Sequence, residues 1–165
     1  MSERIYFAAN GASPTTAAQV VMATTTSINT LQQVATPSTA QINILEWGIS
    51  LDNTTANTPG KVELLQTDVA AGSATSLTPT AWGCDQTASL CVGGAALTMF
   101  NDGAITEGSI TAVRMFDVLL QPPTQPYFKQ YPLGREPVVL VSKFLRVRVT
   151  FGTAVNAYTY IIWSE

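Results

Sequence analysis

Residues 145–151, LRVRVTF, carry the pattern that most constrains how this chain can fold. Apolar and polar side chains alternate strictly along these seven residues, which places them on opposite faces of an extended backbone. The pattern predicts a half-buried strand with Leu145 and Val147 on the core face and Arg146 and Arg148 in solvent. A second alternating run, NAYTYIIWSE at 156–165, follows after the GTA of residues 152–154. Together the two runs predict a hairpin that ends the chain.

Further strands are predicted along the rest of the chain. The segments are RIYFA (4–8), QVVMA (19–23), SINTLQQVA (27–35), QINILEWGISLD (41–52), KVELLQT (61–67), TAVRMFDVLLQPP (111–123) and PVVLVS (137–142). In the segment 41–52, the apolar positions change parity between Ile44 and Leu45, so either both faces are buried or a β-bulge lies there.

These segments predict an all-β protein. The composition is dominated by Thr, Ala, Val, Ser, Gln and Asn, with turn-forming Gly and Pro between the segments and no alternation of strands with helices. We expect an antiparallel β-sandwich of jelly-roll type with eight or nine strands, built as a single domain over residues 1–165. Residues 1–10 are expected to form an edge strand or an arm. Residues 72–108 are expected to be a long irregular excursion, in which SLCVGGAALTMF (89–100) is either a short helix or a buried strand.

The chain offers little equipment for catalysis. It has no histidine, which removes the commonest general acid or base and the usual partner of a nucleophilic Ser or Cys. Glu46 and Asp52 lie on the same face of one predicted strand, about 20 Å apart at ~3.3 Å per residue, too far to act on one glycosidic bond. Phosphate-binding loops and EF-hand loops are also missing from the sequence. We therefore predict a non-enzymatic protein with no cofactor and no metal.

Charge and hydropathy exclude several classes of partner. The formal net charge is -3 and the eight Lys and Arg residues are scattered, which argues against nucleic-acid binding. No apolar run approaches the roughly 18 residues of a membrane-spanning helix, and the first residues lack the apolar core of a signal peptide. We expect a soluble product made in the cytoplasm. Cys84 and Cys91 match neither a redox pair nor a zinc site; two free thiols are expected, with a disulfide as the alternative.

The three tryptophans have different expected roles. Trp47 and Trp163 lie in apolar strands and are expected in the core or at a subunit interface. Trp82, in the loop TPTAWGCD, is the candidate for an exposed aromatic ring that contacts a ligand.

The segment YPLGRE, at 131–136, predicts a corner that leads into a strand. Pro132 and Gly134 favour a turn, and Tyr131 or Leu133 is expected to pack against a neighbouring element or subunit. Because adjacent residues on a strand point apart, Arg135 and Glu136 are each expected to find a partner across a subunit boundary.

Three segments resemble a known family. EWGISLD (46–52), YPLGRE (131–136) and LRVRVTFGTAVNAYTYIIWSE (145–165) are similar, in this order, to motifs in a family of small virion proteins of tailed double-stranded DNA bacteriophages. The resemblance implies a β-sandwich that binds the outside of the mature phage head as a decoration or cement protein. It further implies a homotrimer whose partner is the lattice of the major capsid protein.

The region from Cys84 to Phe100 departs from the pattern of that family. The alternative interpretation is a tail-associated or host-binding virion module, which would present an exposed aromatic platform near Trp82 and bind glycans.

Overall fold

The computed structural model of the protein describes residues 4–10, 21–52, 58–72, 79–82, 87–91, 97–99 and 107–165. Within these ranges the backbone forms twelve β-strands and no helix. The strands are β1 (Ile5–Ala9), β2 (Met22–Ala23), β3 (Asn29–Ala35), β4 (Ile42–Asp52), β5 (Gly60–Thr67), β6 (Thr80–Ala81), β7 (Leu97–Met99), β8 (Val113–Gln121), β9 (Tyr127–Gln130), β10 (Val138–Val139), β11 (Phe144–Thr150) and β12 (Asn156–Ser164).

The strands form two antiparallel sheets. Sheet A has the order β10-β4-β12-β1-β6, with β9 also paired to β4 and β2 to β12. Sheet B has the order β7-β3-β11-β5-β8. One hydrophobic cluster contains buried residues from both sheets. The predicted all-β antiparallel sandwich is therefore confirmed, while the jelly-roll type stays a prediction.

The predicted terminal hairpin is wrong. Strand β11 pairs with β3 and β5 in sheet B, whereas β12 pairs with β4, β1 and β2 in sheet A. Phe151 and Val155 are both buried in the core, on either side of the exposed residues 152–154. The short connection thus carries the chain across the core from one sheet to the other. Alternation predicted both strands correctly but could not say whether they pair with each other.

A β-bulge explains the change of parity in β4. Glu46 pairs with Ile162 and Ile44 pairs with Trp163, so Leu45 is an extra residue without a partner on β12. The extra residue lets Ile44 and Trp47 face the core although they are an odd number of positions apart. This is the bulge that the sequence left open as an alternative.

The polar face of β11 was predicted to lie in solvent, but other parts of the chain cover it. Arg146 has 0% exposed surface, because residues 107–111 and 68–71 lie over this face. Its Nη1 donates to the carbonyl of Glu107 at 3.0 Å and pairs with the carboxylate of Glu107 at 3.1 Å, and its Nη2 donates to the carbonyl of Val69. Burial lowers the pKa of the Arg146 guanidinium, and the charge of Glu107 acts in the opposite direction.

A second ion pair lies beside the first. Arg148 Nε donates to Glu63 Oε2 at 2.7 Å, and Lys61 lies 3.4 Å from the other oxygen of the same carboxylate. Thr30 also donates to Glu107, at 2.8 Å. The arginine face of LRVRVTF is therefore a buried polar layer, in which each charge has an opposite charge beside it.

Other expectations have mixed outcomes. The predicted strand PVVLVS is shorter than expected, because β10 covers only Val138–Val139 and Ser142 then adopts a φ of 53°. The sequence did not predict β6 or β9.

The excursion at 72–108 lies mostly outside the described residues, and Cys84 lies entirely outside them. Strand β7 falls within the segment 89–100, which was predicted to be either a short helix or a buried strand. Cys91 is a buried free thiol, and burial raises its pKa.

We predict that Glu107→Gln destabilises the fold. The variant leaves the guanidinium of Arg146 buried without its carboxylate, which lowers the free energy of unfolding by roughly 3 kcal/mol. Urea denaturation measures the change. Glu136→Gln is the matched control, because Glu136 forms no ion pair within the described part of the chain, and its effect stays within about 0.5 kcal/mol. Equal denaturation midpoints for the two variants would contradict a stabilising role for the buried pair.

Candidate functional site

The motifs EWGIS and YPLGRE, which lie far apart in the sequence, meet in sheet A. Strand β9 pairs with β4, which places Gln130 opposite Glu46, and the next residue, Tyr131, donates its backbone N–H to the carbonyl of Leu45 at 2.8 Å. The bulge in β4 therefore holds the start of YPLGRE against EWGIS. The terminal strand β12 pairs with the other side of β4.

The turn at residues 132–135 is closed by a backbone hydrogen bond and projects into solvent. Arg135 donates its backbone N–H to the carbonyl of Pro132 at 3.0 Å, and Gly134 has a φ of 80°, as the third position of a type II turn requires. Leu133, at the second position, is 91% exposed. Arg135 is exposed and Glu136 is half-buried, and neither forms an ion pair with any residue that the structure describes.

Tyr131 anchors this turn to the core. Its ring packs against the hydrophobic cluster, with the ammonium group of Lys129 at 5.2 Å from the ring centroid. Burial, with the charge of Asp117 as a second cause, raises the pKa of Tyr131 to about 12. The turn thus joins a partly buried tyrosine to an exposed leucine.

Trp47 and Trp163 are core residues, which is one of the two roles expected for them. Both have 0% exposed surface. Trp47 packs against Tyr127 with ring centroids 5.4 Å apart, and Trp163 packs against Tyr6 at 6.0 Å. Neither side chain reaches the surface of the protein.

Trp82 begins a row of aromatic rings on the outer face of sheet A. It follows β6, donates its backbone N–H to Ile5 at 2.8 Å and is 59% exposed. Its ring centroid lies 5.2 Å from that of Phe7, which in turn lies 6.1 Å from that of Tyr160. We call Trp82, Phe7 and Tyr160 the aromatic row.

Gly48 and Glu46 hold Tyr160 in this row. A Cβ at Gly48 would lie 2.4 Å from Cε1 of Tyr160, so the ring occupies the space that a side chain at this position would need. The hydroxyl of Tyr160 donates to a carboxylate oxygen of Glu46. Burial first, and this carboxylate second, raise the pKa of Tyr160.

An open groove of about 330 Å³ lies beside the aromatic row. Its walls include Phe7, Ser50, Phe128, Tyr158 and Tyr160. Phe128 pairs with Gly48 across β9 and β4, and Tyr160 pairs with the same glycine across β12. Phe128, Gly48 and Tyr160 therefore lie level with one another on three neighbouring strands.

Strand β8 exposes a second apolar surface at the edge of sheet B. It pairs with β5, and no described strand pairs with its other side. The side chains of Val113, Met115, Val118 and Leu120 are between 49% and 72% exposed. The pairing of β8 with β5 changes register at Phe116, which has no partner on β5. As a result, all four side chains lie opposite outward-facing residues of β5. We call these four residues the β8 row.

The charged side chains of β8 interact with residues of other segments. Asp117 pairs with Lys129 at 3.2 Å and accepts a hydrogen bond from the hydroxyl of Tyr127 at 3.0 Å. Arg114 donates to the carbonyl of Val138 at 3.0 Å and lies over the ring of Phe116. The β8 row therefore has no charged side chain within it.

The described ranges hold few other candidates for a functional site. No group of three or more His, Cys, Asp or Glu side chains there could hold a metal ion. No helix in those ranges is long and apolar enough to cross a membrane.

Sequence reasoning found the exposed Trp82 and the projecting turn but missed the β8 row and the other members of the aromatic row. The signals were present. Tyr158 and Tyr160 occupy the outward positions of an alternating strand, and the apolar positions of β8 change parity at Phe116. The sequence alone does not show which faces of these strands the rest of the chain covers.

Comparisons with protein-family models, with curated proteins and with solved structures found no match for this chain.

The tyrosines near Asp117 make the fold sensitive to alkali. Burial, followed by the hydrogen bond to Asp117, raises the pKa of Tyr127 to about 12, as burial does for Tyr131. Between the ordinary pKa of 10 and 12, the folded state holds protons that the unfolded state has lost. The free energy of unfolding therefore has its full value below pH 10 and falls as the pH rises towards 12.

Tyrosinate absorbance and thermal unfolding, measured over the same alkaline range, test this expectation. Asp117→Asn removes the charge that opposes ionisation, so tyrosinate should form at lower pH in this variant than in the parent. An unchanged titration curve in the variant would contradict the assigned role of Asp117.

Proposed function

We propose that the protein is a non-enzymatic structural protein of a tailed-phage virion, which binds the outside of the mature head as a decoration or cement protein. In this proposal it forms a homotrimer and its partner is the lattice of the major capsid protein. The resemblance of EWGISLD, YPLGRE and the terminal segment to small phage virion proteins supports this assignment.

The β8 row is the observation that carries the proposal. Four neighbouring outward side chains of this strand are apolar and between 49% and 72% exposed. Soluble monomers rarely leave such a row uncovered, and natural edge strands normally carry charged side chains that prevent pairing with other chains. A strand with exposed apolar side chains, on an edge that no described strand pairs with, is suited to contact with another protein.

The projecting turn supplies a second contact surface. Leu133 is almost fully exposed on a turn that a backbone hydrogen bond closes and that Tyr131 anchors to the core. A turn whose backbone is already formed loses less conformational entropy when its apolar side chain enters a pocket on a partner. Arg135, beside it, brings a planar guanidinium that can bind a carboxylate or a carbonyl group of the partner.

Such a protein stabilises the head by mass action. Binding only to the mature, expanded lattice lowers the free energy of that state by ~2.7 kcal/mol per site when the free protein is at a hundredfold excess over Kd. No chemical step is required.

Co-sedimentation with empty, expanded capsids that lack the protein tests head binding. The wild-type protein should sediment with the capsids and raise their melting temperature, and Leu120→Lys should bind at least about tenfold more weakly because it places a charge in the β8 row. Phe128→Ala is the matched control, since Phe128 is as exposed as Leu120 but lies on sheet A. Absence of wild-type binding, with no change in capsid melting, would remove the decoration proposal.

A mass measurement in solution tests the trimer. The wild-type protein should have three times the mass of the 17.6 kDa chain. Arg135→Ala should dissociate at a higher protein concentration than the wild type and retain its fold by circular dichroism. A wild-type monomer at all concentrations, or an unchanged assembly of the variant, would reject this role of the turn.

A further inference from the structure

Three aromatic rings lie side by side on the outer face of sheet A. The rings of Phe7 and Tyr160 are stacked with an interplanar angle of 24°, and the ring of Trp82 is tilted by 36° from that of Phe7. Trp82 is more than half exposed, although aromatic rings are usually covered in the core or in interfaces. The ring of Tyr160 lies directly over Gly48, where a larger residue would displace it. The backbone of β4 therefore supports this end of the row.

The groove beside the row has the size of a small-ligand site. Its volume of about 330 Å³ is at the lower end of the range for such sites. Phe128, which is 72% exposed, forms one wall, and Tyr158 and Tyr160 form the other side. A flat ring that enters the groove would meet aromatic side chains on more than one side.

Polar groups lie at the border of this aromatic surface. Ser50 is exposed in the wall of the groove, opposite Tyr158 on β12. Glu46 lies at the hydroxyl end of Tyr160, and only one of its carboxylate oxygens accepts the hydrogen bond from that hydroxyl. These groups can donate to and accept from hydroxyl groups placed around a ring.

A sugar ring matches this combination. A pyranose has a face of C–H groups that packs on an aromatic ring, and hydroxyl groups around its rim that need hydrogen-bond partners. We propose that the outer face of sheet A is a carbohydrate-binding site, in which sugar residues lie in the groove against Phe128 and Tyr160 and extend along the aromatic row to Trp82.

Two other kinds of occupant fit the surface less well. A peptide that adds a strand needs free backbone groups, but β12 and β4 are paired on both sides, so their face offers side chains alone. A purely apolar chain would cover the exposed hydroxyl of Ser50 in the wall of the groove without offering it a hydrogen bond, which is unfavourable. The carbohydrate site does not depend on head binding, because it uses sheet A, while the β8 row belongs to sheet B.

Tryptophan fluorescence gives a direct test. Trp82 is the exposed one of the three tryptophans, whereas Trp47 and Trp163 are buried, so acrylamide quenching reports mainly on Trp82. The full-length protein is titrated with cellohexaose, chitohexaose and mannohexaose, and then applied to an array of plant and bacterial glycans. At least one saccharide is expected to protect the fluorescence from quenching and to bind on the array.

Three variants locate the site. Trp82→Ala and Phe128→Ala should each bind the positive saccharide about tenfold more weakly, because each removes an aromatic contact. Phe128→Ala keeps the fluorescence reporter and changes an exposed side chain, so it should fold normally. Leu120→Ala, on the edge of sheet B, is the control and should bind the saccharide like the wild type.

Two results would overturn the proposal. One is an array on which the wild-type protein binds nothing more strongly than Phe128→Ala does. The other is a loss of oligomer mass in Trp82→Ala or Phe128→Ala without any saccharide binding by the wild type, which would identify the groove as a contact between copies of the chain. Head binding by the same variants should stay normal, so failure here is distinguishable from failure of the decoration proposal.

Discussion

The pairing of β12 with β4 is the interaction on which the rest of the structure depends. It continues over nine residue pairs in the middle of sheet A and includes the bulge at Leu45. On the inner face of sheet A, this pairing places Trp47 and Trp163 in the core. On the outer face, it brings Tyr160 over Gly48 and beside Glu46. The same bulge offers the carbonyl of Leu45 to Tyr131, so the core, the aromatic row and the projecting turn share one strand pair.

Burial of charge organises the opposite sheet. The guanidinium of Arg146 is stable under residues 107–111 because Glu107 supplies both a carboxylate and a carbonyl group, and Val69 supplies another carbonyl. Removing one partner of such a pair costs more than the pair contributes, because the remaining charge cannot reach water. This polar layer covers the centre of sheet B and leaves β8 at the edge. The exposed apolar row of β8 is therefore the part of that face available to another protein.

The proposed functions use separate surfaces of one sandwich. In these proposals, head binding uses the edge of sheet B and trimer assembly uses the turn, whereas carbohydrate binding uses the outer face of sheet A. Neither requires a titratable group with a pKa near neutrality, and both depend on apolar side chains that the fold leaves in solvent. A rigid antiparallel framework suits this work because it holds such side chains in place before binding and limits the entropy that they lose.

By itself, the sequence determined the all-β class and most of the longer strands, because alternation with period two is a local property of the backbone. It also located the change of parity in β4, for which a bulge was one of two explanations. It also identified the turn at Pro132 and Gly134 and the exposed position of Trp82. Only the tertiary structure decided that β11 and β12 belong to different sheets and that Arg146 is buried. It also decided that Phe7, Tyr160 and Phe128 meet on one face. The physical reason is that each of these outcomes depends on which distant segment covers or pairs with a strand, and a strand's own alternation is the same whether protein or water lies over its polar face.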